Sequence, residues 1–229
     1  MQFDVIWANI GLYGSGILTT LQLLVLSLLF GLLLSVPLAV LRVASKWAGG
    51  VVWLYTYVIR GTPMLVQLYL IYYGVAQFEL VRDSWAWEYL QSASFCACLA
   101  FIINTSAYTT EMLVGAIKAT HHGEVEAAKA MGMSRALMFR RILLPSALRR
   151  ALPAYSNEVI MMLHGTSLAS IVTLMDITGA ARKIYSQYYL PFEAFIAAGV
   201  IYLCFTFLIV KLFKKAEGRW LAHMQPRKA

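Results

Sequence analysis

The chain has 229 residues, 60% of them apolar and only 13% charged, whereas a soluble domain runs at roughly half apolar and a quarter charged. A water-soluble globule is excluded and an integral membrane protein is indicated. The formal net charge of +8 does not imply nucleic acid, because the basic residues flank apolar runs instead of sharing one face.

In chain order, residues 5–41 carry no charge. About 20 apolar residues cross a bilayer, so this interval holds an interfacial approach and a first span at 16–40. No basic residue precedes Arg42, so a cleaved signal peptide is not expected. The second apolar run, 51–76, is interrupted by Arg60, Gly61, Thr62 and Pro63. Proline removes an amide donor, so a kink or fresh helix start is expected there, near the cytoplasmic side. Residues 77–91, with Glu79, Arg82, Asp83, Glu88 and the interfacial Trp85 and Trp87, form an outer loop. A third span follows at 92–117. A fourth runs over 152–175, with Pro153 as an early residue, and an outer stretch over 176–193. The fifth occupies 194–210. Cys96, Cys98 and Cys204 lie within apolar runs and read as packing residues, not as a disulfide framework.

Sorting the charges fixes the orientation. Arg42, Lys46, Lys118, Lys129, Arg135, Arg140, Arg141, Arg149, Arg150, Lys211, Lys214, Lys215, Arg219, Arg227 and Lys228 fall in segments on one side, and Arg82, Arg182 and Lys183 on the other. The basic side is cytoplasmic, which gives an all-α membrane fold of five spans, N-terminus outside and C-terminus inside.

The cytoplasmic interval 124–148 has the clearest internal pattern. Residues 124–131 are helix-prone, with Glu124 and Glu126 at the positive end of the macrodipole. Gly132 suits the left-handed position that ends a helix, and Ser134 can cap a second helix over 135–144, which Pro145 is expected to stop.

The same interval resembles the EAA loop of the membrane subunits of bacterial ATP-binding-cassette importers: Glu126, Ala127 and Ala128, then Gly132, then Ile142-x-Leu144-Pro145. Arg60-Gly61-Thr62-Pro63 with Leu65-Val66-Gln67-Leu68, Ala107-Tyr108-x-x-Glu111, Asn157-Glu158 and Thr166-Ser167-Leu168 extend the resemblance over most of the chain, to polar amino acid permeases. The family often has Gln two residues before the EAA glutamate, where this chain has Glu124, so the identity of the contacting partner residue stays open. The resemblance implies a single permease domain, 1–229, in the bacterial inner membrane, with a coupling loop at about 119–150. It implies a homologous second permease, two ATPase subunits that bind ATP and Mg, and a periplasmic amino-acid-binding protein. It also implies histidine, lysine, arginine or ornithine as cargo. Glu126, Ala127, Ala128 and Gly132 would then couple to the ATPase.

No glycine in the chain is followed by lysine, so no Walker loop exists and ATP is a partner's business. Inside the spans, Arg60, Glu111 and Glu158 are the ionisable groups of interest, since a charge at mid-bilayer costs about 3 kcal/mol or more and needs a cavity or partner. Glu158, with Asn157 beside it and Asn104 facing it from the third span, is the candidate substrate site, its carboxylate suited to an ammonium, guanidinium or imidazolium group. The competing reading of this trio is a hydrogen-bonding cluster that only joins helices. Arg60 and Glu111 read as structural charges that pair with one another or serve a gate near the inner surface. His121, His122, His164 and His223 show no metal-site spacing. An alternative function is a proton-driven secondary transporter using Glu111 and Glu158, although no internal repeat supports it. A membrane enzyme using His121 and His122 ranks last.

Overall fold

The structure is a computed structural model that describes residues 2–221; Arg227, Lys228 and His223 of the sequence reading lie outside the described residues. Among the described residues there are helices and turns and no strand. A short α1 (Phe3–Ala8) leads into α2 (Ile10–Ala44), then α3 (Lys46–Arg60) and α4 (Met64–Tyr69). Two single-turn helices, α5 (Glu79–Arg82) and α6 (Trp87–Leu90), precede α7 (Ala93–Lys118). The cytoplasmic pair α8 (His122–Ala130) and α9 (Arg135–Met138) is followed by α10 (Leu144–Gly165), α11 (Ile177–Tyr188) and α12 (Pro191–Trp220).

Three of these, α2, α7 and α12, are each long and apolar enough to cross a membrane alone. A fourth crossing is the helical run Arg135–Val172 taken with α11, bent by 45°. The remaining expected span, 51–76, is divided. α3 ends at Arg60 after 15 residues, and α4 starts a second, shorter helical run that continues through a π turn, Leu70–Gly74, and a 3-10 turn, Val75–Gln77, so neither piece spans by itself.

The packing is that of a protein in lipid. Along α2 the buried positions are Gly16, Thr20, Leu23, Leu24, Ser27, Gly31, Ser35 and Ala39, small or hydroxyl-bearing for the most part, while Leu18, Val25, Leu29 and Leu33 are exposed. Small residues let helix backbones approach where lipid gives no hydrophobic drive. At Gly16 a Cβ would stand 2.7 Å from the Asp176 carbonyl oxygen, so the turn before α11 rests directly on α2. Asp176 itself is fully buried, capping α11 through the amides of Thr178 and Gly179 and accepting the Tyr202 hydroxyl at 3.1 Å. The α7 helix is the most enclosed of the long helices, with Ala97, Ala100 and Phe101 in a core shared with Leu68, Leu163 and Ala169.

Three expectations need correction. Pro145 does not stop a helix. Phe139–Leu143 widens into a π turn in which the Leu144 amide bonds the Phe139 carbonyl, and the extra residue in the turn admits a proline at the start of α10 without breaking the run. The helix expected over 135–144 therefore runs on into α10, and Pro153 lies inside α10 instead of near its start. Third, the Gly61–Pro63 break is not close to the cytoplasmic surface. It lies level with Tyr108, whose hydroxyl reaches the Arg60 carbonyl at 3.5 Å, about 15 Å along α7 from Lys118.

Candidate functional site

A cavity of about 620 Å³ opens between the α3–α4 break, α7 and α10. Its size is that of a small-molecule pocket. One wall is the backbone and side chains of Arg60 to Met64; α7 gives Asn104 and Tyr108, and α10 gives Asn157, Glu158, Met161 and His164. Close approach makes the site possible. A side chain at Gly165 would overlap the Met64 methyl group, and one at Gly61 would press on the Tyr57 carbonyl.

Within this cavity Glu158 is only 8% exposed. Its Oε1 accepts the Thr105 hydroxyl at 2.7 Å, a bond that holds the carboxylate against α7 and is worth about 1.5–3 kcal/mol for a charged acceptor. Asn157, its chain neighbour, is exposed at the mouth. Asn104 is present too; one proton of its amide nitrogen goes to Gln67 at 2.9 Å, which leaves the second N–H and the carbonyl oxygen for a ligand. Thr105 was not singled out by the sequence, because hydroxyl residues are frequent in that span and nothing distinguishes the one that meets a carboxylate. Tyr108 carries the Arg60 guanidinium over its ring, 5.1 Å from the centroid.

Arg60 and Glu111 do not pair. Glu111 instead lies 3.6 Å from Arg42 at the end of α2 and accepts the Thr56 hydroxyl at 2.7 Å, tying α2, α3 and α7 together below the cavity. The Arg42 guanidinium also donates to the Gly49 carbonyl at 3.1 Å, across the tight α2–α3 corner. Arg60 belongs to the cavity wall.

The cytoplasmic turn is built from backbone geometry. Gly132 has φ +72°, with its amide on the Lys129 carbonyl and the Met133 amide on the Ala128 carbonyl, the paired bonds of a Schellman ending. Ser134 accepts the Leu137 amide and starts α9. Ala128 is buried beneath α8, while Glu126, Ala127 and Met131 are exposed. Where the loop leaves the spans, Arg150 donates to the Thr120 hydroxyl at 2.6 Å, closing its neck.

The family described as the inner membrane component of binding-protein-dependent transport systems matches residues 27–220. The histidine/lysine/arginine/ornithine transport system permease protein HisM of Escherichia coli strain K12 is 46% identical over 224 residues, 97% of this chain and 94% of that one. The octopine transport system permease protein OccM of Rhizobium radiobacter is 45% identical over 225 residues, 95% of this chain and 90% of the relative. Among solved structures, an amino acid ABC transporter crystallised with histidines superposes with a TM-score of 0.85 at 34% identity, covering 96% of this chain and 99% of the other. The MetNI methionine transporter, at a TM-score of 0.73 and 17% identity over 96% of this chain and 99% of its own, shares the fold alone. With most of its length inside the matched region and close relatives along nearly all of it, the chain belongs to the family of inner-membrane components of binding-protein-dependent transport systems and is a membrane-embedded permease subunit that works with ATPase partners.

Proposed function

We propose that this permease subunit carries basic amino acids, with Glu158 as the anionic contact for a cationic side chain and Asn157 and Asn104 as hydrogen-bonding neighbours. The observation that carries this reading is a buried carboxylate on a cavity of ligand size among the helices, with no lysine or arginine bonded to it among the described residues. A buried carboxylate attracts an ammonium, guanidinium or imidazolium and repels an anion. The names of two relatives fit this class, one serving histidine, lysine, arginine and ornithine and the other octopine. Their near-equal identity to this chain does not choose between the two cargoes, and the carboxylate supports only the wider class of cationic amino acids.

The assembly follows from what the chain leaves open. Arg60, Asn157 and His164 are exposed at the cavity mouth, and polar groups at bilayer depth need protein or water beside them. A homologous second permease covers that face. Two ATP-binding-cassette ATPase subunits, holding ATP and Mg, seat the turn around Glu126, Ala127, Ala128 and Gly132 at the cytoplasmic surface, and a periplasmic binding protein delivers cargo to the outer face. The chain is one permease domain, 1–229, in the bacterial inner membrane. Family membership sets aside the proton-driven alternative, and Glu111, engaged by Arg42 outside the cavity, offers no second carrier on the Glu158 path.

The test is affinity purification in mild detergent with mass identification and stoichiometry, followed by binding of labelled L-arginine, L-histidine and L-glutamate. A second permease, two ATPase copies and preference for the cationic ligands are expected. A lone chain, or equal binding of glutamate, overturns the reading.

A further inference from the structure

The cavity wall at residues 60–64 lies where the backbone has no helix to satisfy it. α3 ends at Arg60, Pro63 has no amide proton, and the carbonyls of the last α3 turn would stand unpaired at bilayer depth. The side chains of Gln67, Thr62 and Tyr108 meet this need between them, Tyr108 at the Arg60 carbonyl and Gln67 with the largest number of bonds. The Gln67 amide nitrogen shares its two protons among the Ile59 carbonyl at 2.7 Å, the Thr62 carbonyl at 3.1 Å and the Thr62 hydroxyl at 2.7 Å. On its other side, the Gln67 oxygen accepts the Asn104 amide at 2.9 Å. The Thr62 hydroxyl in turn donates to the Val58 carbonyl at 3.0 Å. Gln67 is 7% exposed and stands behind the wall instead of lining it.

We infer that Gln67 is the positioning residue of the cargo cavity, holding the Arg60–Met64 wall at a fixed distance from Asn104 of α7 and thereby setting the shape into which an amino acid fits. The inference rests on the reading of this cavity as the cargo site. Only glutamine meets the requirement. One planar group must donate in one direction and accept in the other, at the reach of two methylenes from a helix that starts just after the break. An ionised glutamate keeps the acceptor for Asn104 and loses every donor. Leucine keeps the volume and loses both functions. In either case the Thr62 carbonyl loses this partner and the Ile59 carbonyl keeps only the longer bond from the Thr62 hydroxyl at 3.3 Å, in a place where water does not replace what is lost.

The experiment is equilibrium binding of radiolabelled L-arginine and L-histidine to the purified permease–ATPase complex carrying Gln67→Leu, Gln67→Glu, Gln67→Asn or Glu158→Gln. Hydrogen–deuterium exchange across residues 58–66 is followed on the same samples. The Leu and Glu variants are expected to bind about tenfold more weakly or worse, with faster exchange across 58–66. Gln67→Asn, which keeps both polar functions on a shorter arm, is expected to bind about threefold more weakly and decides the matter where the others do not assemble. Unaltered affinity in the Gln67 variants beside weakened binding in Glu158→Gln overturns the role of Gln67 and leaves the cavity reading standing. Unaltered affinity in all four variants overturns the cavity reading and the inference with it. Lower yield or melting temperature with full affinity in the surviving complex makes Gln67 a packing residue and likewise overturns the inference.

Discussion

The break at Arg60–Met64 and the turn at Gly132 both end one helix and start another, yet only the first is cross-bonded by side chains from several elements. At Gly132 the backbone closes on itself through the Lys129 and Ala128 carbonyls, and Glu126, Ala127 and Met131 stand exposed around it. At Arg60–Met64 a glutamine, a threonine and an asparagine tie the chain to α3 and α7. The difference follows from the medium. Water satisfies loose carbonyls at the cytoplasmic surface, while inside the bilayer every such group needs a protein partner. The cytoplasmic turn is consequently free to meet another protein, and the membrane break is held in place by its own chain.

The strongest challenge to that contrast is Glu158→Ala. It is expected to lower uptake of labelled arginine by about tenfold or more, by loss of a charged contact, while the complex still co-purifies; unchanged uptake would remove the carboxylate from the cargo path. Next is Gly132→Val. A β-branched residue in the left-handed region costs about 1–2 kcal/mol, and the distorted turn is expected to reduce uptake about fivefold with cargo affinity preserved. Gly132→Asn, which tolerates that region, is expected to retain most of it, and equal damage by both would mean that φ is not what matters there. Thr105→Val removes the hydroxyl that holds Glu158, and arginine binding should weaken about three- to fivefold, only part of what the bond is worth, because the carboxylate itself remains in the cavity. Measured by the same binding assay, a larger loss than that of Glu158→Ala would refute its supporting role. The smallest effect is expected for Glu111→Gln, because its partner Arg42 is partly exposed and the pair is not tightly bonded. Uptake should change by less than about twofold, in keeping with the modest worth of such pairs.

Local chemistry was readable in advance, and distant pairing was not. Gly132 and Ser134 declared themselves because a left-handed ending and a helix cap depend on a few adjacent residues. Glu158 stood out as an ionisable group in an apolar run, which any reading of a membrane sequence must explain. Arg60 and Glu111 looked like partners because both were charges in need of one. Glu111 meets Arg42 only because the α2–α3 corner folds tightly enough for Arg42 to reach Gly49, and no spacing in the sequence reveals that. Pro145 misled for a related reason, since a proline after a helical stretch normally ends it, and the π turn that accommodates it leaves no mark in composition. Gln67 is visible as part of a motif, but its four contacts run back to the Ile59–Thr62 stretch and across to Asn104 of α7, a pairing that no local pattern reveals.

The continuous helical run from Arg135 to Val172 has a mechanical consequence. It is gripped at the neck of the cytoplasmic loop by the bond from Arg150 to Thr120, which lies about 22 Å of helix from Arg135 on one side and about 22 Å from Gly165 on the other. No loop interrupts the chain between the two ends, so the helix that leaves the cytoplasmic turn and the cavity wall that carries Glu158 and His164 belong to one helical run, fastened to α7 a second time where Thr105 meets Glu158.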